Sequence, residues 1–264
     1  MQIITFANNK GGQGKTTSAL GIAHRLVALG HPVLFIDADP QANATLTLGI
    51  DAGRGHLGDA LLDAPDGRAS THTLATLSQK PQSDRSLTIV AANRVMGQQE
   101  KIFGTQADYI YFFKRQLVPL AEKYAYVIID TPPSMGPLTL AALAASDAVF
   151  VPLIPDLFGS AGMAALLEMV ERIRQNFNER LRVGGIFFIK YATSYRRSLH
   201  RQYAGDLEED QDLSGLILTQ TIRENIALAE AQSLKQSVYD YAPASSGAAD
   251  YAALTDEILS RLSK

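Results

Sequence analysis

Lys10-Gly11-Gly12-Gln13-Gly14-Lys15-Thr16-Thr17 follows an apolar run, Ile3-Ile4-Thr5-Phe6-Ala7. It precedes a helical pattern with Ala19, Leu20, Ile22, Ala23, Leu26 and Val27 on one broad stripe. The run predicts a buried strand and the stripe predicts a helix, so the loop between them is an anion site. Its glycines let successive backbone N–H groups turn inward with no Cβ in the way. The helix dipole adds positive potential at the same point. The expected cradle is Gly11, Gly12, Gln13, Gly14, Lys15, Thr16 and Thr17. Lys15 is placed to reach β- and γ-phosphates, and the Thr16 hydroxyl to ligate Mg²⁺. The plain alternative is a glycine-rich turn that binds nothing. Gly14-Lys15-Thr16 in this strand-to-helix context argues against it.

The strict pattern G-x-x-x-x-G-K-[ST] fails at Asn9, where it requires glycine, and a second lysine, Lys10, stands at the front of the loop. This variant Walker A motif resembles that of the ParA/MinD family of dimerising ATPases. Further along, Val33-Leu34-Phe35-Ile36 reads as a second buried strand ending at Asp37-Ala38-Asp39-Pro40-Gln41. Carboxylates at the C-terminal end of a strand lie where open α/β sheets bind ligands. Asp39-Pro40-Gln41-Ala42-Asn43-Ala44-Thr45 is similar to the family's first switch. The resemblance gives Asp39 a part in positioning the attacking water and Asp37 a part in supporting the Mg²⁺ shell. Tyr126-Val127-Ile128-Ile129-Asp130 fits a Walker B strand whose carboxylate holds Mg²⁺ through its water shell. The continuation Thr131-Pro132-Pro133-Ser134 resembles the second switch. Thr221 to Ala231 is similar to the family's segment near the adenine, with isoleucine for proline and Glu224 set between Arg223 and Asn225. Asn225 is the candidate base contact.

Taken in order, the chain alternates strand and helix patterns. Gly30-His31-Pro32 stops the first helix. Residues 51–86 are rich in Gly, Asp, Ser and Thr, with short apolar pieces such as Leu57 to Leu62, and predict small helices and surface loops. Leu87 to Ala91 predicts a strand. Residues 106–122 predict a helix with Tyr109, Ile110, Phe113, Leu117 and Leu120 inward. Ala148 to Leu153 and Gly184 to Lys190 predict strands, with a long helix from Ser160 to Phe177 between them. Leu216-Ile217-Leu218 predicts a last strand, and residues 246–262 a closing helix. The expected fold is α/β: a doubly wound, mostly parallel sheet with helices on both faces, of the P-loop NTPase kind. No repeat or linker divides the chain, so one domain over residues 1–264 is expected.

Composition narrows the function. The chain of 264 residues carries a net charge of −3, so any contact with nucleic acid must come from a local patch. It has no cysteine, which excludes disulfides and thiolate-held metal clusters. The N-terminus lacks the form of a signal peptide, and no apolar run approaches a membrane span, so a cytoplasmic location is expected.

The resemblance implies an ATPase using ATP and Mg²⁺. Lys10 stands too early for its own phosphates; in the family this lysine crosses to the nucleotide of a second subunit, so ATP would close a homodimer. Turnover would be slow and stimulated by a partner. ParA-like proteins hold nonspecific double-stranded DNA as the ATP dimer, associate with the nucleoid, and work with a centromere-binding ParB-like protein. The candidate DNA contact is Arg196, Arg197 and Arg201, three arginines within two helical turns. The alternative for that patch is a solvated helix face paired with Asp206, Glu208, Glu209 and Asp210. Two other functions stay open: positioning of a protein cargo, and MinD-like membrane association. The latter needs a basic amphipathic C-terminal helix, whereas Leu254 to Lys264 carries acids and bases equally, so no membrane is expected.

Overall fold

The computed structural model describes residues 1–62, 70–81, 86–195 and 198–263. Among them, seven strands form one sheet: β1 (Gln2–Phe6), β2 (Val33–Asp37), β3 (Ser78–Gln79), β4 (Leu87–Val90), β5 (Tyr126–Asp130), β6 (Ala148–Leu153) and β7 (Arg182–Phe188). Their order is β3-β4-β2-β5-β1-β6-β7. All neighbours are parallel except β3, which pairs antiparallel with β4. Side chains alternate across a strand. Leu34, Ile36, Val127 and Ile129 therefore enter one core, and Val33, Phe35 and Ile128 enter the other. Both faces are covered, which is why the strands read as unbroken apolar runs.

The described helices are α1 (Lys15–Ala28), α2 (Asn43–Thr47), α3 (Gly58–Leu61), α4 (Leu74–Leu77), α5 (Met96–Phe103), α6 (Phe112–Leu117), α7 (Pro137–Ala145), α8 (Leu157–Asn176), α9 (Ser198–Glu209), α10 (Ile226–Ser233), α11 (Val238–Tyr241) and α12 (Ser246–Leu262). On one face α1 and α12 cover the centre of the sheet. Gly21 makes room there for the Tyr251 ring, whose Cγ would lie 2.9 Å from an added Cβ. On the other face α5, α6 and α7 cover β2 and β5, and α8 covers β6 and β7. This is the expected doubly wound α/β fold.

Register fixes the level of the strand ends. Phe6 and Asp37 both pair with Asp130. The loop after β1 and the carboxylates ending β2 and β5 therefore leave the sheet side by side, at its C-terminal edge.

Three expectations change. Residues 214–218 form a 3₁₀ turn (Ser214–Leu216) and a single bridge, Ile217 to Ile186, in place of a strand. The N–H groups of Thr219 and Gln220, which would extend that pairing, instead donate to the Glu257 carboxylate on α12, each at 2.8 Å. The segment returns to the sheet only at Ile222, opposite Ile189. Residues 106–122 are two 3₁₀ turns around the short α6, because Pro119 has no N–H to continue the helix. Ile110, Phe113, Leu117 and Leu120 are buried as expected, and Tyr109 packs partly buried. Within 51–86 the described parts hold small helices and also β3, an edge strand too short to show alternation.

Gly184 tests the packing of the sheet. A Cβ there would meet the ring of Phe150, which is fully buried and stacked on Phe6. Gly184→Ala should lower stability by about 1–3 kcal/mol through overpacking. A urea midpoint equal to wild type would show that this layer has slack.

Candidate active site

Both ends of the glycine loop are fastened to the segment at the end of β6. Asn8 donates its Nδ2 to the Pro152 carbonyl at 2.8 Å and accepts from the Lys10 N–H at 2.9 Å. Gln13 is buried, and its Oε1 accepts from the Ile154 N–H at 2.6 Å. The Gln13 side chain thus faces the protein, leaving only its backbone for a phosphate. Gly12 and Gly14 take left-handed φ values of 76° and 63°. A Cβ on Gly14 would lie 2.6 Å from Ile189 Cδ1. The left-handed backbone calls for glycine there, and a side chain would also have to displace the tip of Ile189. The first N–H groups of α1 follow directly, without intrahelical partners by the geometry of a helix end.

At the floor of this loop, charge is concentrated in a dry place. Thr16 donates its hydroxyl to Asp130 Oδ2 at 2.6 Å. Asp130 is fully buried, and its Oδ1 has no hydrogen-bond partner. Asp37, also fully buried, accepts through Oδ2 from the N–H and hydroxyl of Thr45, each at 2.8 Å, and through Oδ1 from the Asp39 N–H at 3.2 Å. Thr45 in turn accepts from the Ala92 N–H at 2.8 Å, which ties the end of β4 into the network. Asp39 accepts from the Gln41 N–H at 2.9 Å. Burial pushes the Asp37 carboxyl up to about 7, against the pull of its Thr45 and Asp39 bonds. Burial, then the Asp37 charge, raises Asp130 well above the carboxylate range. Burial also raises Asp39 and lowers the Lys15 ammonium, which Asp130 and Asp39 partly restore.

This arrangement fits Mg²⁺ with a nucleotide. An unpartnered, buried carboxylate oxygen beside a threonine hydroxyl offers an inner or water-mediated contact at Asp130 and Thr16. Asp37, with both oxygens engaged, suits a supporting role. Among the described residues no group of three or more His, Cys, Asp or Glu side chains is disposed to hold a metal alone. That agrees with an ion that takes most of its ligands from water and substrate phosphates.

Beside the loop lies a cavity of about 360 Å³ lined by Gly14, Thr17, Ile189, Lys190, Arg223, Asn225 and Gln232 among others. Its position, next to Gly14 and Thr17 and away from Asp39, suits the base and ribose. Asn225 lines it but is engaged at both ends of its amide: Oδ1 caps α10 through the Ala227 N–H at 2.8 Å, and Nδ2 donates to Ser246 at 2.6 Å. Gln232 donates Nε2 to the Thr17 hydroxyl at 2.9 Å. Arg223, also in the lining, donates Nη2 to Asp250 at 2.6 Å. Sequence reading missed Lys190, Arg223 and Gln232 as lining residues. Only their nearness to Asn225 in the chain, or to the end of β7, could have signalled them.

The structure brings Lys15, Thr16, Asp37, Asp39 and Asp130 together. The Lys10 carbonyl accepts from Lys15 Nζ at 3.5 Å, but the Lys10 side chain turns away: its Nζ reaches Asp156, just past β6, at 2.8 and 3.1 Å. Arg201 lies on α9 and donates Nη2 to the Tyr195 carbonyl at 2.9 Å. Arg196 and Arg197 lie outside the described residues.

Known proteins resemble this chain along its length. A family model described as an AAA domain matches residues 1–183. The chromosome partitioning protein ParA of Caulobacter vibrioides is 34% identical, over 99% of this chain and 95% of its own. The chromosome-partitioning ATPase Soj of Thermus thermophilus is 34% identical, over 98% and 96%. Among solved structures, cobyrinic acid a,c-diamide synthase from Mycobacterium smegmatis, with bound ADP and magnesium, superposes with a TM-score of 0.82 at 26% identity, covering 100% of this chain and 96% of that one.

The raised carboxyls give a pH signature. Such groups keep a proton in the folded chain that they lose on unfolding, so the unliganded fold loses stability as pH rises from about 4 to about 7. Mg²⁺ displaces those protons, so its stabilising effect grows over the same range. The Tm increment from Mg-ADP should be larger at pH 7.5 than at pH 5.5 by about 2–4 °C, beyond the increment seen with ADP in EDTA. An increment that does not change with pH would contradict the charge arrangement.

Proposed function

Because the chain belongs to the ParA family of partition ATPases, we propose that ATP closes two copies face to face, that the closed pair holds duplex DNA without regard to sequence, and that hydrolysis releases both. The protein is an ATPase that uses ATP and Mg²⁺.

The observation that carries this reading is Lys10. It stands at the front of its own loop yet points to Asp156, whose side chain is 30% exposed. A partly exposed ion pair of that kind is worth about 0–1 kcal/mol. A γ-phosphate on a facing subunit offers a stronger, charge-assisted bond. Lys10 therefore leaves Asp156 when a second loop brings ATP opposite it, and has no such reason when only ADP is there. Within each subunit Lys15 and the loop N–H groups orient the β- and γ-phosphates. Mg²⁺, held by Thr16 and Asp130 with Asp37 in support, supplies charge neutralisation at the phosphate oxygens. Asp39 positions the attacking water. No strong general base stands beside the loop among the described residues, so turnover is slow until a partner assists. That partner is a ParB-like, centromere-binding protein, and the cargo is plasmid or chromosomal DNA.

A membrane role is disfavoured. The closing helix α12, the element such binding would need, buries its apolar stripe, Tyr251, Leu254 and Ile258, in the core against α1. Arg201, with Arg196 and Arg197, supplies the DNA contact, and the working location is the nucleoid.

A mobility-shift assay on unrelated duplexes tests this. Binding should need ATP, ignore sequence and fall steeply with salt. Arg201→Ala should weaken it and flatten the slope against log salt by about 2, one contact per subunit. Equal binding with ADP, or a triple Arg→Ala variant that binds fully, would overturn the DNA reading.

A further inference from the structure

We infer that Glu100 is a positioning residue for ATP hydrolysis: from α5 it holds the turn that opens α7, and so links the segment after Asp130 to the segment after Asp39. The inference rests on reading those two segments as the parts that respond to nucleotide.

Gly97, Glu100 and Gly104 fall on one face of α5 by their spacing. Each faces one of the two segments. Glu100 accepts from the Leu138 N–H through Oε1 at 3.2 Å. Leu138 is the second residue of α7, so this N–H has no partner in its own helix. The same Oε1 stands over Gly136, where an added Cβ would lie 2.5 Å away. A turn later Gly104 abuts Pro137, whose Cγ would lie 2.5 Å from an added Cβ. At the other end Gly97 faces Pro40, whose Cβ would lie 3.8 Å from an added Cβ, an ordinary contact distance. Pro40 directly follows Asp39, and Gly136 follows Thr131-Pro132-Pro133-Ser134 by two residues. The Asp39 charge also reaches Glu100.

The stripe of α5 beside Glu100, one turn either way, is held in the core. Met96 and Phe103 are fully buried, and Phe103 meets Phe112 and Tyr109 edge-on at 5.4 and 5.6 Å. A short helix anchored by Met96 and Phe103 therefore carries Glu100 and Gly104 against the Gly136–Leu138 turn and Gly97 towards Pro40. A shift of either segment is felt by the other through a rigid body, and Glu100 makes a directional bond in that link. Glu100 itself has no need to touch the nucleotide, and Asp39 and Lys15 keep their own partners without it.

The test compares Glu100→Ala with Glu100→Gln, which keeps a carbonyl oxygen for the Leu138 N–H. Single-turnover hydrolysis at saturating Mg-ATP should fall about tenfold or more in Glu100→Ala, because a small misplacement costs rate steeply. Affinity for a fluorescent ATP analogue should stay within about twofold of wild type, placing the loss on the chemical step. Glu100→Gln should recover most of the rate. Hydrogen exchange at Thr131 to Leu138 should differ between ATP and ADP states in wild type, and the difference should shrink in Glu100→Ala. An alanine variant that turns over like wild type, a glutamine variant as slow as alanine, or rate and affinity lost together would overturn the inference. A wild type that exchanges alike in both states overturns the switch reading and the inference with it. A wild type that differs, with an alanine variant that differs as much, overturns the inference alone.

Discussion

The site depends on two carboxylates held side by side where water does not reach. Parallel pairing of β2 with β5 sets Asp37 directly opposite Asp130, and pairing of β1 with β5 sets the glycine loop next to both. Two buried negative charges at neighbouring strand ends would be costly on their own. The fold answers with what lies nearest: Lys15 from the loop, the Thr16 hydroxyl, and three donors on Asp37 from Thr45 and Asp39. One oxygen, Asp130 Oδ1, is left without a partner. That oxygen, beside the Thr16 hydroxyl, is placed to meet a cation arriving with phosphates on the loop.

From that constraint the rest of the molecule follows as a set of attachments. Asn8 and Gln13 fix the loop to the end of β6. Thr45 fixes the end of β4 to Asp37. Thr131 donates its hydroxyl to the Phe6 carbonyl at 2.9 Å, so the segment leaving β5 is bound to β1 as well. A change at the γ-phosphate position thus meets a network whose members sit at the ends of five strands, β1, β2, β4, β5 and β6. That is the physical basis for reading the segments after Asp39 and Asp130 as responsive ones.

Much of this was legible in the sequence, for a reason that can be stated. β1, β2, β5 and β6 are covered on both faces, so each appears as a short apolar run, and the aspartates ending β2 and β5 mark where the runs leave the core. What stayed hidden depends on distant side chains. Leu216 to Leu218 has strand composition, yet Glu257 captures the adjoining N–H groups from 37 or 38 positions away. Asn225 looks like a base contact by its place in a family segment, yet its amide caps a helix and meets Ser246. The bond between Lys10 and Asp156 spans 146 positions, and no local pattern announces it.

The central claim is that this cluster and Lys10 convert bound ATP into association of two chains. Light scattering on the eluting protein measures it directly. In saturating Mg-ATP an Asp39→Ala variant, expected to keep nucleotide and lose hydrolysis, should weigh twice the 28.5 kDa chain, and in Mg-ADP it should return to one chain. Adding Lys10→Ala should leave nucleotide bound and the mass at that of one chain. A mass of one chain for Asp39→Ala with ATP demonstrably bound, or a dimer that forms equally in ADP, would contradict the account.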